Sequence, residues 1–200
     1  MELFEVSDNL QDPILKAYEW IKEAQDESVA LPHAMNLSSL NSKGRPASRM
    51  VLLKRISNKG FIFFTDYEGN KGQQISDFPH AALTFWWAKT NKQIRIEGTC
   101  SRVSEEENDV YFASRPRGSQ ISASVSLQSA KIDSYESLVK KSEIFEAKNS
   151  DKEIERPERW GGYLLEPYSI EFWQDQKNRL HKREIYTLSK SVWQKSLLSP

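Results

Sequence analysis

The feature that most limits the fold of this chain is a succession of short β-rich runs separated by turns that carry glycine. Met35 to Leu40 leads into Asn41-Ser42-Lys43-Gly44, Ser48 to Ile56 leads into a turn at Ser57 to Gly60, and Phe61 to Thr65 follows. Turns this tight join antiparallel neighbours, because a parallel return needs a crossover of about a dozen residues or more. Ala81 to Trp87 and Gln93 to Ser101, linked by the polar turn Ala88 to Lys92, extend the sheet. Tyr163 to Leu165, Ser169 to Trp173, Arg179 to Thr187 and Val192 to Leu198 return to it, the last two through a turn at Leu188 to Ser191.

Helices are inserted into this order. Asp12 as N-cap and Pro13 at the first helical position open an amphipathic run through Ile14, Leu15, Tyr18 and Ile21 that ends near Ser28. Asn70 to Phe78 is a short helix closed by Pro79. Ser104 and Glu107 form a capping box ahead of Val110, Tyr111 and Phe112, and Pro116 stops that helix and can start another. Ser134 to Lys148 is again amphipathic, followed by a charged loop from Asn149 to Pro157. No repeat or linker divides the chain, so the expectation is one α+β domain over residues 1–200, an antiparallel barrel with peripheral helices. Residues 1–11 are expected to be a flexible N-terminal segment.

Composition narrows the partners. The 28 basic and 28 acidic side chains give a formal net charge of zero, which argues against a nucleic-acid binder and makes any anion site local. The single cysteine, Cys100, allows no internal disulfide, and no Cys/His cluster has zinc spacing, so no metal is expected. Neither a signal segment nor a membrane span is apparent, and the expectation is a soluble cytoplasmic protein without a membrane partner.

Five clusters carry candidate chemistry. In Arg179-Leu180-His181-Lys182-Arg183, an extended backbone would place Arg179, His181 and Arg183 on one face, suited to an anionic flat ligand. An edge strand protected by its charges fits the same residues. Arg49-Met50-Val51-Leu52-Leu53-Lys54 is an apolar strand bracketed by cations an odd number of residues apart, so a bulge or a strand end must intervene if both meet one ligand. The alternative is a core strand with solvated ends. Gly69-Asn70-Lys71-Gly72 at a helix start could cradle a phosphate or be a plain turn. Tyr111, Arg115 and Ser119, four and four apart, offer phenol, guanidinium and hydroxyl to a phosphate if the helix beyond Pro116 starts in line. Otherwise Arg115 is a helix-end residue that bonds carbonyls. Gln128-Ser129 and Gln93 can read a heterocycle edge or simply face solvent. No catalytic triad, paired carboxylates or metal set emerges, which points to an organic cofactor as the source of reactivity.

From about Asp12 to Pro200 these residues resemble the pyridoxamine/pyridoxine 5'-phosphate oxidase family. The resemblance rests on Arg49-x-x-x-Leu53-Lys54, Ser114-Arg115-Pro116-Arg117-x-Ser119-Gln120-Ile121, Gln128-Ser129, Trp160-Gly161-Gly162, Glu171-Phe172-Trp173-Gln174 and Arg179-Leu180-His181-x-Arg183, in that order. It implies an FMN-binding split barrel working as a homodimer, with two flavins at the interface. By the same resemblance Arg49, Met50, Val51, Leu52, Leu53, Lys54, Phe64, Thr65, Asn70, Lys71, Gln93, Gln128, Ser129, Trp173 and Arg183 would form the FMN site. Lys54, Tyr111, Arg115 and Ser119 would hold the substrate phosphate, and Arg179 and His181 would act on the pyridine ring. The implied reaction oxidises pyridoxamine or pyridoxine 5'-phosphate at C4' to pyridoxal 5'-phosphate and reduces O2 to hydrogen peroxide.

The chain departs from that family at several places. Asn70 stands where Arg is usual, which predicts weaker FMN binding. Ser122-Ala123-Ser124 replaces a common Gly-Ala-Trp, Lys182 a usual Asp, and Phe64 a frequent Tyr. Serine-rich segments of this kind also occur in the related phenazine-biosynthesis oxidases, so oxidation of another heterocycle is the alternative reading. A non-catalytic FMN- or pyridoxal-phosphate-binding protein is the third.

Overall fold

Strand β8 (Trp160–Gln174) organises the molecule, because it is long enough to serve different partners along its length. The computed structural model describes residues 4–200. One edge of β8 pairs with β7 (Lys92–Arg102). Its other edge pairs first with β5 (Gly60–Asp66), through Trp160 to Leu165, and then with β9 (Lys182–Ser189), through Ser169 to Gln174. The sheet therefore forks midway along β8. From β5 it runs to β4 (Arg55–Ser57) and β1 (Glu5–Val6), and from β9 to β10 (Val192–Leu198). Beyond β7 lie β6 (His80–Trp87), β2 (Ala34–Leu40) and the edge strand β3 (Pro46–Leu52).

Only β1 with β4 is parallel among the paired strands, so the sheet is mixed rather than a simple antiparallel meander. It curves into a half-barrel attended by α1 (Ile14–Asp26), α2 (Asn70–Asp77), α3 (Glu105–Ser114), α4 (Arg117–Val125) and α5 (Tyr135–Lys148). The core lies inside the curve, where Phe61, Phe63, Phe85, Trp87, Ile94, Ile96 and Phe172 are buried. Helix α1 closes one end with Ile14, Ala17, Ile21 and Ala24, a helical stripe one residue wide at each turn. Truncating a fully buried side chain such as Ile21 to alanine would cost about 2–5 kcal/mol.

Several expectations are corrected by local physics. Within the N-terminal segment, residues 1–3 lie outside the described residues, but Phe4 is buried and Glu5 and Val6 pair with Arg55 and Ile56, so 4–6 are anchored rather than flexible. Asp12 does not cap α1. Pro13 occupies the cap position, and the Leu15 N–H is satisfied by the Gln11 carbonyl at 2.9 Å. The run Ser48 to Ile56 is broken at Leu53 and Lys54, where the chain leaves β3 for β4. Tyr163 to Leu165 and Ser169 to Trp173 are one strand, since a register shift at Glu97/Gly98 absorbs an extra residue beside Pro167, which has no N–H to give.

The largest correction concerns Arg179. It lies in a single 3₁₀ turn (Lys177–Arg179), where Asn178 and Arg179 take positive φ of 57° and 61°, and strand β9 begins only at Lys182. Strand alternation therefore does not relate Arg179, His181 and Arg183. The capping box holds as expected: Ser104 accepts from the Glu107 N–H, and the Glu107 carboxylate accepts from the Ser104 N–H.

Candidate functional site

The chain passing from β3 to β4 builds the first wall of a cleft. Leu53 N–H donates to the His33 carbonyl and Lys54 N–H to the Ile62 carbonyl, at 2.9 and 2.8 Å. These bonds turn the Leu53 side chain into the core, where it is 0% exposed, so Leu53 packs and does not line the cleft. They also break the alternation that would have sent Lys54 away from the β3 residues. Met50, Val51, Leu52 and Lys54 now share a cleft of about 220 Å³ with Phe64 and Thr65 of β5, Lys71 of α2, Tyr111 and Arg115 at the end of α3, Gln128 and Trp160. The strand end, rather than a bulge, brings Lys54 into the cleft, whereas Arg49 lies outside its lining.

Aromatic rings form its floor. Phe64 stacks on Tyr111 with centroids 3.8 Å apart and on Trp160 at 5.4 Å, and the Arg115 guanidinium lies 4.3 Å over the Trp160 ring. The two glycines beside Trp160 leave room for the neighbouring rings. A Cβ on Gly162 would come 2.9 Å from Phe64 Cε1, and one on Gly161 would come 2.1 Å from the Tyr67 hydroxyl. Here Asn108 fixes the strand, accepting from the Gly162 N–H at 2.7 Å and donating to Tyr67 Oη at 3.2 Å.

Three cations, Lys54, Lys71 and Arg115, line this cleft, Arg49 lies outside its lining, and among the described residues none of the four is ion-paired. Burial lowers the pKa of Lys54, and the charge of Arg115 lowers it further. Burial likewise lowers Lys71, helped by Arg49 and partly offset by Asp66. The two like-charged couples thus repel, each short of an anion. Arg115 Nη1 is buried with no hydrogen-bond partner, and burial raises the Tyr111 phenol, keeping it a donor. Arg49 is held from below by neutral acceptors, Ser39 Oγ at 2.6 Å and Gln74 Oε1 at 2.7 Å.

Beside the cleft, Asn70, Gln128 and Ser129 line a wider hollow of about 380 Å³. Gln128 Oε1 accepts from Thr65 Oγ1 at 2.9 Å and from Lys71 Nζ, and Ser129 Oγ accepts from the Asn70 N–H at 3.3 Å. Ser119 sits in the first turn of α4, half-buried, and is outside the cleft lining.

The remaining expected residues gather elsewhere. Trp86, Gln93, Trp173 and Arg183 are directly opposed across β6, β7, β8 and β9 and form one row on one face. Arg183 Nε donates to Glu171 Oε1 at 2.7 Å, and His181 packs on Trp173 with centroids 4.6 Å apart. His181 Nδ1 lies 2.9 Å from Asp175 Oδ1 and accepts from the Gln176 N–H at 3.3 Å. Phe64 pairs with Gly162 whereas this row crosses β8 at Trp173, so roughly 35 Å of strand path, at about 3.3 Å per residue, separates the two groups.

Trp160, Asp66, Arg159 and Trp86 were not expected at these sites. Trp160 had a signal, its place before the glycine pair, whereas Asp66 and Arg159 have none that periodicity could reveal.

Fold and cleft define a split-barrel protein whose cationic cleft is floored by stacked aromatic rings. The chain belongs to the pyridoxamine 5'-phosphate oxidase family: a family model of that description matches residues 21–149, and one described as the pyridoxine 5'-phosphate oxidase C-terminal dimerisation region matches residues 160–200. Proteins named pyridoxine/pyridoxamine 5'-phosphate oxidase from Cyanothece sp. and Haemophilus influenzae are each 44% identical, over 94% and 95% of this chain and 89% and 90% of theirs. PhzG from Burkholderia lata, solved with tetrahydrophenazine-1-carboxylic acid, superposes with a TM-score of 0.91 at 30% identity, covering 96% of this chain and 95% of that one. A pyridoxamine 5'-phosphate oxidase-related, FMN-binding protein from Nostoc punctiforme shares the fold, with a TM-score of 0.80 at 18% identity, covering 96% of this chain and all of that one. No helix among the described residues is long and apolar enough to cross a membrane.

Proposed function

We propose that the chain is an FMN-dependent pyridoxine/pyridoxamine 5'-phosphate oxidase that works as a homodimer with FMN at the interface and uses O2. The carrying observation is a cleft over one aromatic floor lined by Lys54, Lys71 and Arg115, in which Lys54 and Arg115 form one unpaired cation couple and Lys71 forms another with Arg49 behind it. Half-buried like charges without counter-ions disfavour the free protein, so each couple suits an arriving dianion. FMN and the substrate each bring one phosphate.

FMN fits these residues. Arg49 and Lys71 would hold its phosphate with Ser129 and the first turn of α2, while Gln93 and Gln128 offer amides to the ring edge. Bound FMN would accept the hydride from the C4' carbon and pass the electrons to O2. Lys54, Arg115 and the Tyr111 phenol would anchor the substrate phosphate, with Ser119 closing over it from α4. Arg179 and His181 would cover the pyridine ring, His181 being aimed by Asp175. The strand path along β8 keeps Gln93, Trp173 and Arg183 of one chain from its own cleft, which supports a site completed by a second copy.

Anaerobic addition of pyridoxine 5'-phosphate to the yellow FMN-loaded protein should bleach the flavin, and air should restore it with formation of pyridoxal 5'-phosphate. Absence of turnover with both B6 phosphates would refute the reading. One observation favours a second reading, oxidation of a larger heterocycle: Ser122, Ala123 and Ser126 line a side pocket of about 140 Å³ that shares Arg115 and Trp160 with the cleft. Bleaching by a tricyclic carboxylate, with B6 phosphates inert, would select it. Tight FMN binding without reoxidation would select a carrier.

A further inference from the structure

Arg159, the residue before Trp160, makes contacts on two sides that belong to the two ends of the cleft. Its Nη2 donates to the carbonyls of Ala123 at 2.7 Å, Ser124 at 3.1 Å and Ser126 at 3.1 Å. These lie at the C-terminus of α4, where carbonyls lack intrahelical partners and the helix dipole is negative. On its other side Nε is ion-paired with Asp66 Oδ2 at 3.1 Å without the alignment of a hydrogen bond, the two side chains being 16% and 4% exposed. Asp66 turns its second oxygen to the N–H groups of Glu68 at 2.8 Å and Gly69 at 3.2 Å, fixing the turn that opens α2. The Arg159 carbonyl accepts from the Tyr67 N–H at 2.6 Å in the same turn.

We propose that Arg159 is a positioning residue that sets the distance between the cofactor-phosphate end of the cleft, at Gly69 to Lys71, and the substrate-phosphate end, at Arg115 and α4. This rests on the assignment of those two ends made above. Arg159 lines neither the cleft nor the side pocket. Its influence runs through Asp66 on one side and the α4 carbonyls on the other. A planar guanidinium can serve both at once because Nη2 donates to the carbonyls while the delocalised charge at Nε stays beside Asp66, whereas an ammonium is a single point charge. The following residue, Trp160, carries the Arg115 guanidinium, so a shift of Arg159 moves the floor of the site with its walls.

The test uses Arg159→Met, Arg159→Lys and Asp66→Asn in the full-length protein, with FMN affinity read by flavin fluorescence and KM and kcat read separately. Arg159→Met should loosen FMN and raise KM for pyridoxine 5'-phosphate by about ten-fold each, roughly the loss of one charged hydrogen-bond set, while kcat falls less than KM rises. Arg159→Lys can still meet Asp66 but not the three carbonyls as well, so it should recover FMN affinity and keep the raised KM. Adding Asp66→Asn to Arg159→Met should loosen FMN no further, because the partner is already gone. A folded Arg159→Met with a lower Tm but native FMN affinity and KM overturns the proposal. If that variant does not fold, Arg159→Lys decides alone, and native values in both quantities overturn it. A wild-type protein inert toward B6 phosphates would instead count against the proposed function, and the FMN measurements would still test the Asp66 side.

Discussion

The ring of Tyr111 lies face to face with that of Phe64, the planes inclined by only 19°. Tyr111 and Arg115 are one helical turn apart, so this stack fixes the height at which the guanidinium rides over Trp160. Tyr111→Phe keeps the stack and removes only the hydroxyl. We expect KM for pyridoxine 5'-phosphate to rise about ten-fold, the size of one hydrogen bond to a charged group, with FMN affinity unchanged. Steady-state kinetics beside a fluorescence titration separates the two, and an unaltered KM would remove the phenol from the substrate site.

Lys54 is a half-buried cation with no ion-pair partner among the described residues. Burial first and Arg115 second hold its pKa below the ordinary lysine value. For a cation with a lowered folded pKa, stability is withheld below that pKa and regained as pH rises through it toward the unfolded value. Lys54→Met should therefore raise the Tm of the ligand-free protein at neutral pH, an advantage that fades in alkali. The same variant should lose about a hundred-fold in kcat/KM, as expected for one lost charge-assisted phosphate contact. The wild-type kcat/KM should fall on an alkaline limb that Lys54→Met lacks. A limb retained in the variant would assign it to another group.

Much of this arrangement was legible in the sequence, and the exceptions have physical causes. Glycine turns, the Ser104/Glu107 box and Pro116 act locally, so strands β2 to β7 and helices α3 and α4 could be placed from them. What failed depended on long-range pairing. The run at Arg179 has the composition of a strand, yet two residues in the left-handed region end any ladder there. Leu53 shares a motif with Lys54, but backbone bonds to His33 and Ile62 turn their side chains apart. Motif order carried the site residues to two places on one chain, and only the path of β8 reveals that they are far apart. Asp66 and Arg159 are ordinary charges in sequence and become a pair only when β5 pairs with β8, which sets Asp66 opposite Trp160.

Asn70 opens α2 with a neutral side chain beside Lys71, where one more cation would face an FMN phosphate. Asn70→Arg should tighten FMN by about five- to ten-fold at low salt, the usual worth of one added phosphate contact at a helix N-terminus, and the gain should shrink as ionic strength rises. A fluorescence-quenching titration at two salt concentrations measures both. An affinity indifferent to the added charge would place the cofactor phosphate elsewhere.

Acid stability should depend on Glu184, which lies on the far side of the sheet from Arg183. Burial would raise its carboxyl, but hydrogen bonds from Lys16, Lys195 and Lys182 outweigh this and hold it at about 2. A carboxylate with a depressed folded pKa contributes stability that is present above its unfolded pKa and lost as pH falls from there toward 2. Glu184→Gln should cost about 1–3 kcal/mol at neutral pH, because it leaves three ammonium groups around a neutral amide. Urea unfolding from pH 7 down to pH 3 should show the gap to wild type narrowing. A gap constant across that range would mean the carboxylate charge contributes nothing.

The C-terminal row predicts a division of labour that the 3₁₀ turn makes sharper. Arg183 is anchored at both ends of its guanidinium, by Glu171 Oε1 at 2.7 Å and by the Ser199 carbonyl at 2.9 Å, so it is a rigid donor in the row with Trp173 and Gln93. Its loss in Arg183→Ala should loosen FMN about ten-fold or more. Arg179 and His181 precede the strand, and their side chains are set by the turn and by Asp175 rather than by the pleat. Arg179→Ala and His181→Ala should therefore lower kcat/KM by about a hundred-fold while FMN affinity changes little, the range usual for loss of one positioned donor. Asp175→Asn should resemble a mild His181→Ala, since it removes the negative charge beside Nδ1. Equal effects of all three alanine variants on FMN retention and on turnover would mean that the turn and the strand act as one unit.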